Sequence, residues 1–402
     1  AFRVNGRDLK AKVIGEGANL GLTQAGRIEF AQNGGRINTD AIDNSAGVDS
    51  SDHEVNIKIL AAEAIRIKSL KAKDRNGLLA EMTDDVAAHV LRHNYDQTAA
   101  LSLAEASAAA DHEALERLMV YLEERGVLNR PLEGLPSSAQ MRVRQEQGQF
   151  LTRPELAVLL AWSKIVLIDD VVASDIPDDP YFESVLTSYF THPIDTYGEA
   201  ISNHRLKREI IATVIANRSL DMAGPVPLLR LREMSGGDSA ATVRGLEAAR
   251  AVLDFDAFRR EVDSLDNTVP ADLQIDLRMQ AMQAMNEAAT WFVRMRPGMS
   301  VGDAVAESHV PLNELKAALA SVHSPYPASR IERATRGFMK RGAPEALARW
   351  AAAMSNFAQG LVVTDLAKTA SIGVEQAASA FYALGDSLRL DRLRDSALEG
   401  LE

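Results

Sequence analysis

Cysteine is absent from all 402 residues. Disulfides and thiolate metal sites are therefore excluded, and the omission suits a reducing compartment, so the cytoplasm is the expected location. Long apolar runs are lacking too. The longest, Leu156–Ile168, is interrupted by Ser163 and Lys164. It is too short to cross a bilayer and reads as a buried helix, so no membrane partner is expected. The first twenty residues hold no continuous apolar core of the kind a secretory signal needs. Basic residues are in deficit: 44 Lys and Arg stand against 56 Asp and Glu, a net charge of −12. Polyanion binding rests on clustered Lys and Arg, so nucleic acid is not an expected partner. An initiating methionine is missing as well. The chain opens at Ala1 in "AFRVNGRDLKAKVI", already mid-pattern, and is expected to be a piece of a longer protein.

What is present is ordinary for a globular protein: 46% hydrophobic and 25% charged residues, in a chain long enough for two or three domains. Residues 1–50 mix strand-like and helix-like pieces. "LKAKVI" (Leu9–Ile14) alternates as a strand does, and Asn5-Gly6 predicts a turn that pairs Phe2–Val4 with it as a small hairpin. Thr23–Asn33 predicts a helix stopped by Gly34-Gly35, and "RIN" at 36–38 a short strand. Strand, glycine turn, helix and strand make a βαβ-like unit. From His53 onward the periodicity is helical: His53–Ala72, Thr83–Arg92, Ala99–Ala110 and Asp111–Arg125, then a polar, turn-rich stretch at 128–151. Thr152-Arg153-Pro154-Glu155 is a capping box with proline in the first turn, opening an apolar helix through Ala173. Further helices are predicted at 179–190, 197–218, 238–253, 271–295, 311–321, 344–359 and 374–388, and no strand after residue 50. Gly237–Phe258 and Gly373–Leu393 share a small-residue helix ending in "FDAF" and "LDRL", which reads as two ordinary helix-turn units.

The stretch "KVIGEGANLGLT" (Lys12–Thr23) raises the functional question. Glycines after a strand let backbone approach a ligand, and a following helix N-terminus attracts negative charge. By itself this is a weak dinucleotide signal, since a tight strand-to-helix turn explains the same glycines. A doubly wound sheet needs several more βα units, and none follows residue 50. Residues 1–50 therefore read as the last strands of such a fold.

Residues 16–19 ("EGAN") followed by "NTDAIDNSAGVDSSDHEVNIKI" at 38–59 resemble the final part of the coenzyme domain of glutamate dehydrogenases, more narrowly the large bacterial NAD-specific class. "ALSLAEA" (100–106), "LTRPELAVLLAWSKI" (151–165) and "HRLKREIIATVIAN" (204–217) are similar to that class as well, so the resemblance covers most of the chain. It implies NAD as cofactor and L-glutamate and 2-oxoglutarate as substrate and product, with ammonium released and NADH formed. Residue by residue, it implies that Gly17, Ala18 and Asn19 lie beside the nicotinamide, that Asn44, with Gly47 and Val48, lies near cofactor and substrate, and that Ser51 contacts the substrate side-chain carboxylate. Ala46 departs from the glycine most of the family has there. The helix at His53–Ala72 corresponds to the one that crosses back toward the substrate domain. The family's catalytic lysine, its proton-transferring aspartate and its pyrophosphate-binding loop have no counterpart in this chain. No catalytic residue is assigned, and the chain alone is not expected to turn over.

Blander roles stand beside each assignment. Asn19 would serve as a helix N-cap, Ser51 as the cap of a helix beginning near Asp52, and Asp40 and Asp43 as acceptors for turn amides. Asp85, His89 and His93 fall on one helix face, but Val90 occupies the place where the zincin pattern needs Glu, so no metal is assigned. Ser51-Asp52-His53 is contiguous and cannot align as a triad. Residues 365–384 have a helix-turn-helix look, yet Val374–Leu384 holds no Lys or Arg and includes Glu375, which suits packing. The expected fold is mainly α, with a C-terminal remnant of a Rossmann-like α/β coenzyme domain at 1–52 and a large all-helical region at 53–402, carrying a seam near 128–151. The apolar helices leave open a second role, a helical oligomerisation or regulatory module of a larger assembly, and a homo-oligomer is expected.

Overall fold

The computed structural model describes residues 3–17, 20–322, 325–390 and 393, with side chains other than those of 318–327. Helix accounts for 76% of the chain and strand for 1%, so the class is mainly α. The chain divides into two compact units, Ala1–Arg230 and Leu231–Glu402.

The first unit opens with a two-stranded parallel sheet, β1 (Val13–Ile14) beside β2 (Arg36–Ile37), joined through α1 (Gln24–Gln32). Thr23 caps α1 by accepting from the Gly26 N–H at 3.1 Å. The helix stops as the sequence requires: Gly34 takes φ +86°, and a Cβ on Gly35 would lie 2.3 Å from the Phe30 ring. The expected hairpin is not formed among the described residues. Asn5-Gly6 starts a 3₁₀ turn (Gly6–Asp8) seated on α1, where a Gly6 Cβ would meet the Gly26 carbonyl at 2.4 Å. The six-residue strand shrinks to two because, among the described residues, β2 is the strand it pairs with and offers only two residues. Phe2 lies outside the described residues.

Helices follow: α2 (Asp40–Asp43), α3 (Ser45–Arg66), α4 (Arg75–Glu81), α5 (Thr83–Ser107), α6 (His112–Glu124), α7 (Arg130–Glu133), α8 (Ser138–Glu146), α9 (Arg153–Ala173), α10 (Glu183–Tyr189), α11 (Gly198–Ser202) and α12 (Lys207–Ala223). Helix α3 begins eight residues before the expected His53, and α5 is one helix where two were expected. Its polar middle is held by partners outside the local sequence: Asn94 Nδ2 donates to the Ile42 carbonyl at 2.7 Å and to Ser45 Oγ at 2.8 Å. The 128–151 stretch folds as α7 and α8, burying Arg130, Leu135 and Met141. The capping box of α9 is formed, with the Glu155 carboxylate accepting from the Thr152 N–H at 2.7 Å. Helix α9 packs on α12, α5 and α1, and its Leu159 and Leu160 join Leu60, Leu101, Ile215 and Leu220 in a core that excludes water.

Helix α13 (Pro225–Ser235) carries the division between units. The second unit holds α14 (Ser239–Val252), α15 (Phe255–Asp263), α16 (Ala271–Met295), α17 (Val301–Val322), α18 (Pro325–Lys340), α19 (Glu345–Ala370) and α20 (Val374–Ser387). Small residues let α16 lie close to α14: a Cβ on Gly245 would meet the Ala289 carbonyl at 2.9 Å. Helix α20 buries Ala377, Ala378 and Tyr382 and packs on α17 and α19, so the segment with the helix-turn-helix look is a packing helix.

Candidate functional site

The glycine turn is suspended between two carboxylates of one short helix. Asp43 Oδ2 accepts from the Glu16 N–H at 2.8 Å, just before Gly17, and Asp40 Oδ2 accepts from the Leu20 N–H at 3.0 Å, just after residue 19. Asp40 and Asp43 therefore do satisfy turn amides, and the turn is this one. Gly17 has nothing within 4 Å of where a Cβ would stand. Packing does not demand a glycine there, and the space beside it is open to a ligand. Ala18 and Asn19 lie outside the described residues. Capping of α1, the other role considered for Asn19, belongs to Thr23.

Beneath the turn, Glu16 and Arg27 are buried and paired. Arg27 Nε lies 2.5 Å from Glu16 Oε2 and Nη2 3.1 Å from Oε1, while Nη2 also reaches Asp40 at 3.0 Å. Burial alone would pull the Arg27 guanidinium down, but Glu16 and Asp40 outweigh it and its pKa is raised. Burial pushes Asp40 up, and the Leu20 N–H with Arg27 brings it below its ordinary value. Charge-assisted bonds of this kind are stronger than neutral ones and fix geometry. Glu16 Oε1, besides its bond from Arg27 Nη2, completes the turn by accepting from the Leu22 N–H at 2.9 Å.

Asn44 sits at the elbow between α2 and α3, half-buried, as the N-cap residue of α3. A Cβ on Gly47 would stand 2.5 Å from Asn44 Oδ1, so glycine at 47 makes room for the amide. Ser51 is exposed and lies inside α3, because the helix begins at Ser45. The capping role considered for Ser51 is thereby overturned. Seven residues separate Asn44 from Ser51, two helical turns, so both belong to one face of α3. Val48 and Val55 share that face and are exposed. The Asp43–Glu16 bond places Gly17 beside α2, next to the elbow that carries Asn44, while Ser51 stands two turns further along α3.

A second cluster went unread in the sequence. Asp49 Oδ1 lies 3.1 Å from His53 Nδ1 and its Oδ2 2.7 Å from His93 Nδ1. Since a carboxylate only accepts, both imidazoles carry a proton on Nδ1. His53 is fully buried, stacks on Tyr189 at 4.2 Å and meets His89 edge-on at 5.3 Å. Burial pushes Asp49 up, yet the two histidines hold it well below the usual carboxylate range. Burial pulls His53 down and Asp49 more than restores it, leaving its pKa raised, while burial and then the neighbouring imidazoles depress His89 to about 4. His89 and His93 share a face of α5 as expected, but their partners come from α3, and Asp85 is exposed. Among the described residues no set of three His, Cys, Asp or Glu is placed to hold a metal ion. This cluster, with Asn94, locks α5 against the start of α3. Its sequence signals were the two i, i+4 pairs, Asp49/His53 on α3 and His89/His93 on α5.

A third connection reaches the turn from α9. Arg153 donates from Nε to Asn38 Oδ1, from Nη1 to Ser102 Oγ at 3.0 Å and from Nη2 to the Thr98 carbonyl at 2.9 Å. Asn38 Nδ2 donates in turn to Asp43 Oδ1 at 2.7 Å.

A parallel β-α-β step, a carboxylate-held glycine turn and a helix opening on an asparagine make up the candidate site, and comparisons with known proteins identify the family of the chain. The family described as "Glutamate dehydrogenase, C-terminal" matches residues 148–400, and "Bacterial NAD-glutamate dehydrogenase, catalytic domain" matches 1–104. The NAD-specific glutamate dehydrogenase of Pseudomonas aeruginosa is 39% identical over 399 residues, and that of Halomonas elongata 38% over 391, each match covering 97% of this chain. The Mycobacterium tuberculosis protein of the same name is 38% identical over 349 residues, 86% of the chain. The chain belongs to the bacterial NAD-specific glutamate dehydrogenase family. It spans about a quarter of the length of the curated relatives it matches, 24% of the first two and 21% of the third.

Proposed function

We propose that this chain is the C-terminal part of an NAD-dependent glutamate dehydrogenase, in which residues 1–52 close a Rossmann-like coenzyme domain and 53–402 form the helical C-terminal region. The overall reaction takes L-glutamate, NAD and water to 2-oxoglutarate, ammonium and NADH. The observation that carries this is that the Glu16 and Leu20 amides, on either side of the "GAN" stretch, are held by Asp43 and Asp40 beside Asn44. The exposure of Val13 supports the Rossmann assignment: at 66% it is unusual in a parallel strand, since parallel sheets are normally covered on both faces.

The residues present fit the cofactor. Gly17 leaves open space for close backbone approach, and Gly17, Ala18, Asn19 and Asn44 would hold the nicotinamide end. An amide such as that of Asn44 offers a carboxamide one acceptor and two donors. NAD supplies the hydride acceptor when bound. Asn44 and Ser51 would bind and orient the substrate, the Ser51 hydroxyl donating to the side-chain carboxylate of glutamate, and α3 fixes the distance between the two residues. This chain supplies one wall of the site and no proton-transfer group, so it is inactive by itself.

The test is Asn44→Ala in the longer protein that contains this chain. Roughly tenfold weaker use of glutamate or NAD, the loss of one or two hydrogen bonds, is expected in the folded enzyme. Unchanged kinetics would overturn the assignment. We also propose a cytoplasmic homo-oligomer assembled through the helical region, supported by exposed Val362, Leu366, Leu384 and Leu388 on α19 and around α20. Removing everything after about residue 75 would then abolish assembly, measured by sedimentation. Among the described residues no helix is long and apolar enough to cross a membrane.

A further inference from the structure

We infer that Arg153, in the first turn of α9, is a positioning residue for the glycine turn, acting through Asn38 and Asp43, an assignment that rests on reading that turn as part of the cofactor site. The chemistry of the three side chains gives the chain of bonds one direction only. A guanidinium donates and never accepts, so the Asn38 oxygen must face Arg153. The Asn38 nitrogen is thereby turned to Asp43, where it donates to Oδ1 at 2.7 Å. A carboxylate accepts on both oxygens, and Asp43 Oδ2 is left to receive the Glu16 N–H at 2.8 Å. The Asn38 amide cannot flip without setting its NH2 against the Arg153 donor and its oxygen against the Asp43 carboxylate in a half-buried place, and the Asp43 carboxylate is held between the two donors it faces.

Arg153 is itself immobilised. Its side chain is 15% exposed and reaches four groups: Asn38, the Thr98 carbonyl, Ser102 Oγ and Glu105 at 3.4 Å. Burial lowers its pKa, with Glu105 and Asp43 opposing. Gln24 Nε2 adds a second tie between α1 and α9 by donating to the Pro154 carbonyl at 3.1 Å. A residue 137 positions downstream of Glu16 thus sets the orientation of the peptide that precedes Gly17 (153 against 16 in the same sequence). The helical region is then not a separate support. It is a working part of the cofactor wall.

Two substitutions separate positioning from mere support. Arg153→Lys keeps the charge but cannot serve Asn38, Ser102 and Thr98 together, because an ammonium lacks the planar fork. Asn38→Asp keeps an acceptor for Arg153, loses the donor to Asp43 and sets two carboxylates side by side. In the 402-residue chain, amide exchange at Glu16 is expected to speed up roughly tenfold in both variants, with α9 and α12 still protected. In the longer enzyme, KM for NAD is expected to rise roughly fivefold in each, with no further rise in the double variant, because the bonds act in series. A purely structural role would lower kcat with the active fraction and leave KM untouched, and that result would overturn the proposal. So would unchanged exchange at Glu16 in Asn38→Asp, which also serves should Arg153→Lys fail to fold. Faster exchange with unchanged kinetics would overturn the cofactor role while keeping the bond chain, and would count against the proposed function of the turn as well.

Discussion

Glu16 and Arg27 face each other as a two-bond ion pair, at 2.5 and 3.1 Å, with both residues buried. Taking two charges out of water is expensive, and a pair in such a place is retained only with good geometry and further bonds. Both conditions hold, since Glu16 also accepts the Leu22 N–H and Arg27 also reaches Asp40. The pair fixes the floor of the glycine turn.

Removing one partner should therefore be far worse than removing both. Arg27→Met leaves Glu16 buried and uncompensated and is expected to cost about 3–5 kcal/mol. Adding Glu16→Leu to it should recover part of that loss. Urea unfolding of the two single variants and the double variant measures this. A double variant no more stable than Arg27→Met would show that the pair is not the unit that matters.

Acid sensitivity should come from His89. Its folded pKa is about 4, set by burial and then by His93 and His53, while an unfolded histidine titrates near 6.5. As pH falls below about 6.5 the unfolded chain takes up a proton that the folded one refuses. Stability then drops until about pH 4, by at most about 3 kcal/mol. His53 works in the other direction. With a raised folded pKa, its contribution is complete below the unfolded value and fades as pH rises through the folded one. His89→Phe should flatten the acid limb of a plot of urea midpoint against pH and leave the alkaline limb alone. An unchanged acid limb would move the sensitivity to another group.

What the sequence made legible was local chemistry. Thr23 and Thr152 with Glu155 announce the starts of α1 and α9, and Gly34-Gly35 the stop of α1, because caps and left-handed glycines act within a few residues. The carboxylates of α2 were read as acceptors for turn amides, although which amides they hold needed coordinates. The misread elements depend on distant partners. Asn94 keeps α5 continuous by bonding Ile42 and Ser45, and nothing near Asn94 in the chain announces this. The same is true of Asp49, which joins His53 to His93, 40 positions further on, and of Arg153, whose place in a capping box hid its reach to Asn38.

Gly47 should separate stability from function. Alanine in a helix is worth up to about 1 kcal/mol over glycine, yet here its Cβ would stand 2.5 Å from Asn44 Oδ1. The Asn44 amide is the flexible partner and would swing away. Gly47→Ala is expected to leave the melting temperature nearly unchanged while weakening glutamate or NAD use in the longer protein as much as Asn44→Ala does. Wild-type kinetics in that variant would show that the orientation of Asn44 is not needed.

Ser51 offers the cleanest test of substrate contact because its structural work is small. It lies inside α3, is exposed and caps nothing. Surface changes of this kind are usually within about 0.5 kcal/mol, and alanine is the better helix former. Ser51→Ala should therefore melt at or slightly above the wild-type temperature. If the hydroxyl holds the side-chain carboxylate of glutamate, KM for glutamate rises roughly tenfold while KM for NAD stays put, because the proposed function assigns the nicotinamide end to other residues, Gly17, Ala18, Asn19 and Asn44. A rise in KM for NAD alone would place Ser51 on the cofactor side of the wall, and no change in either would remove it from the site.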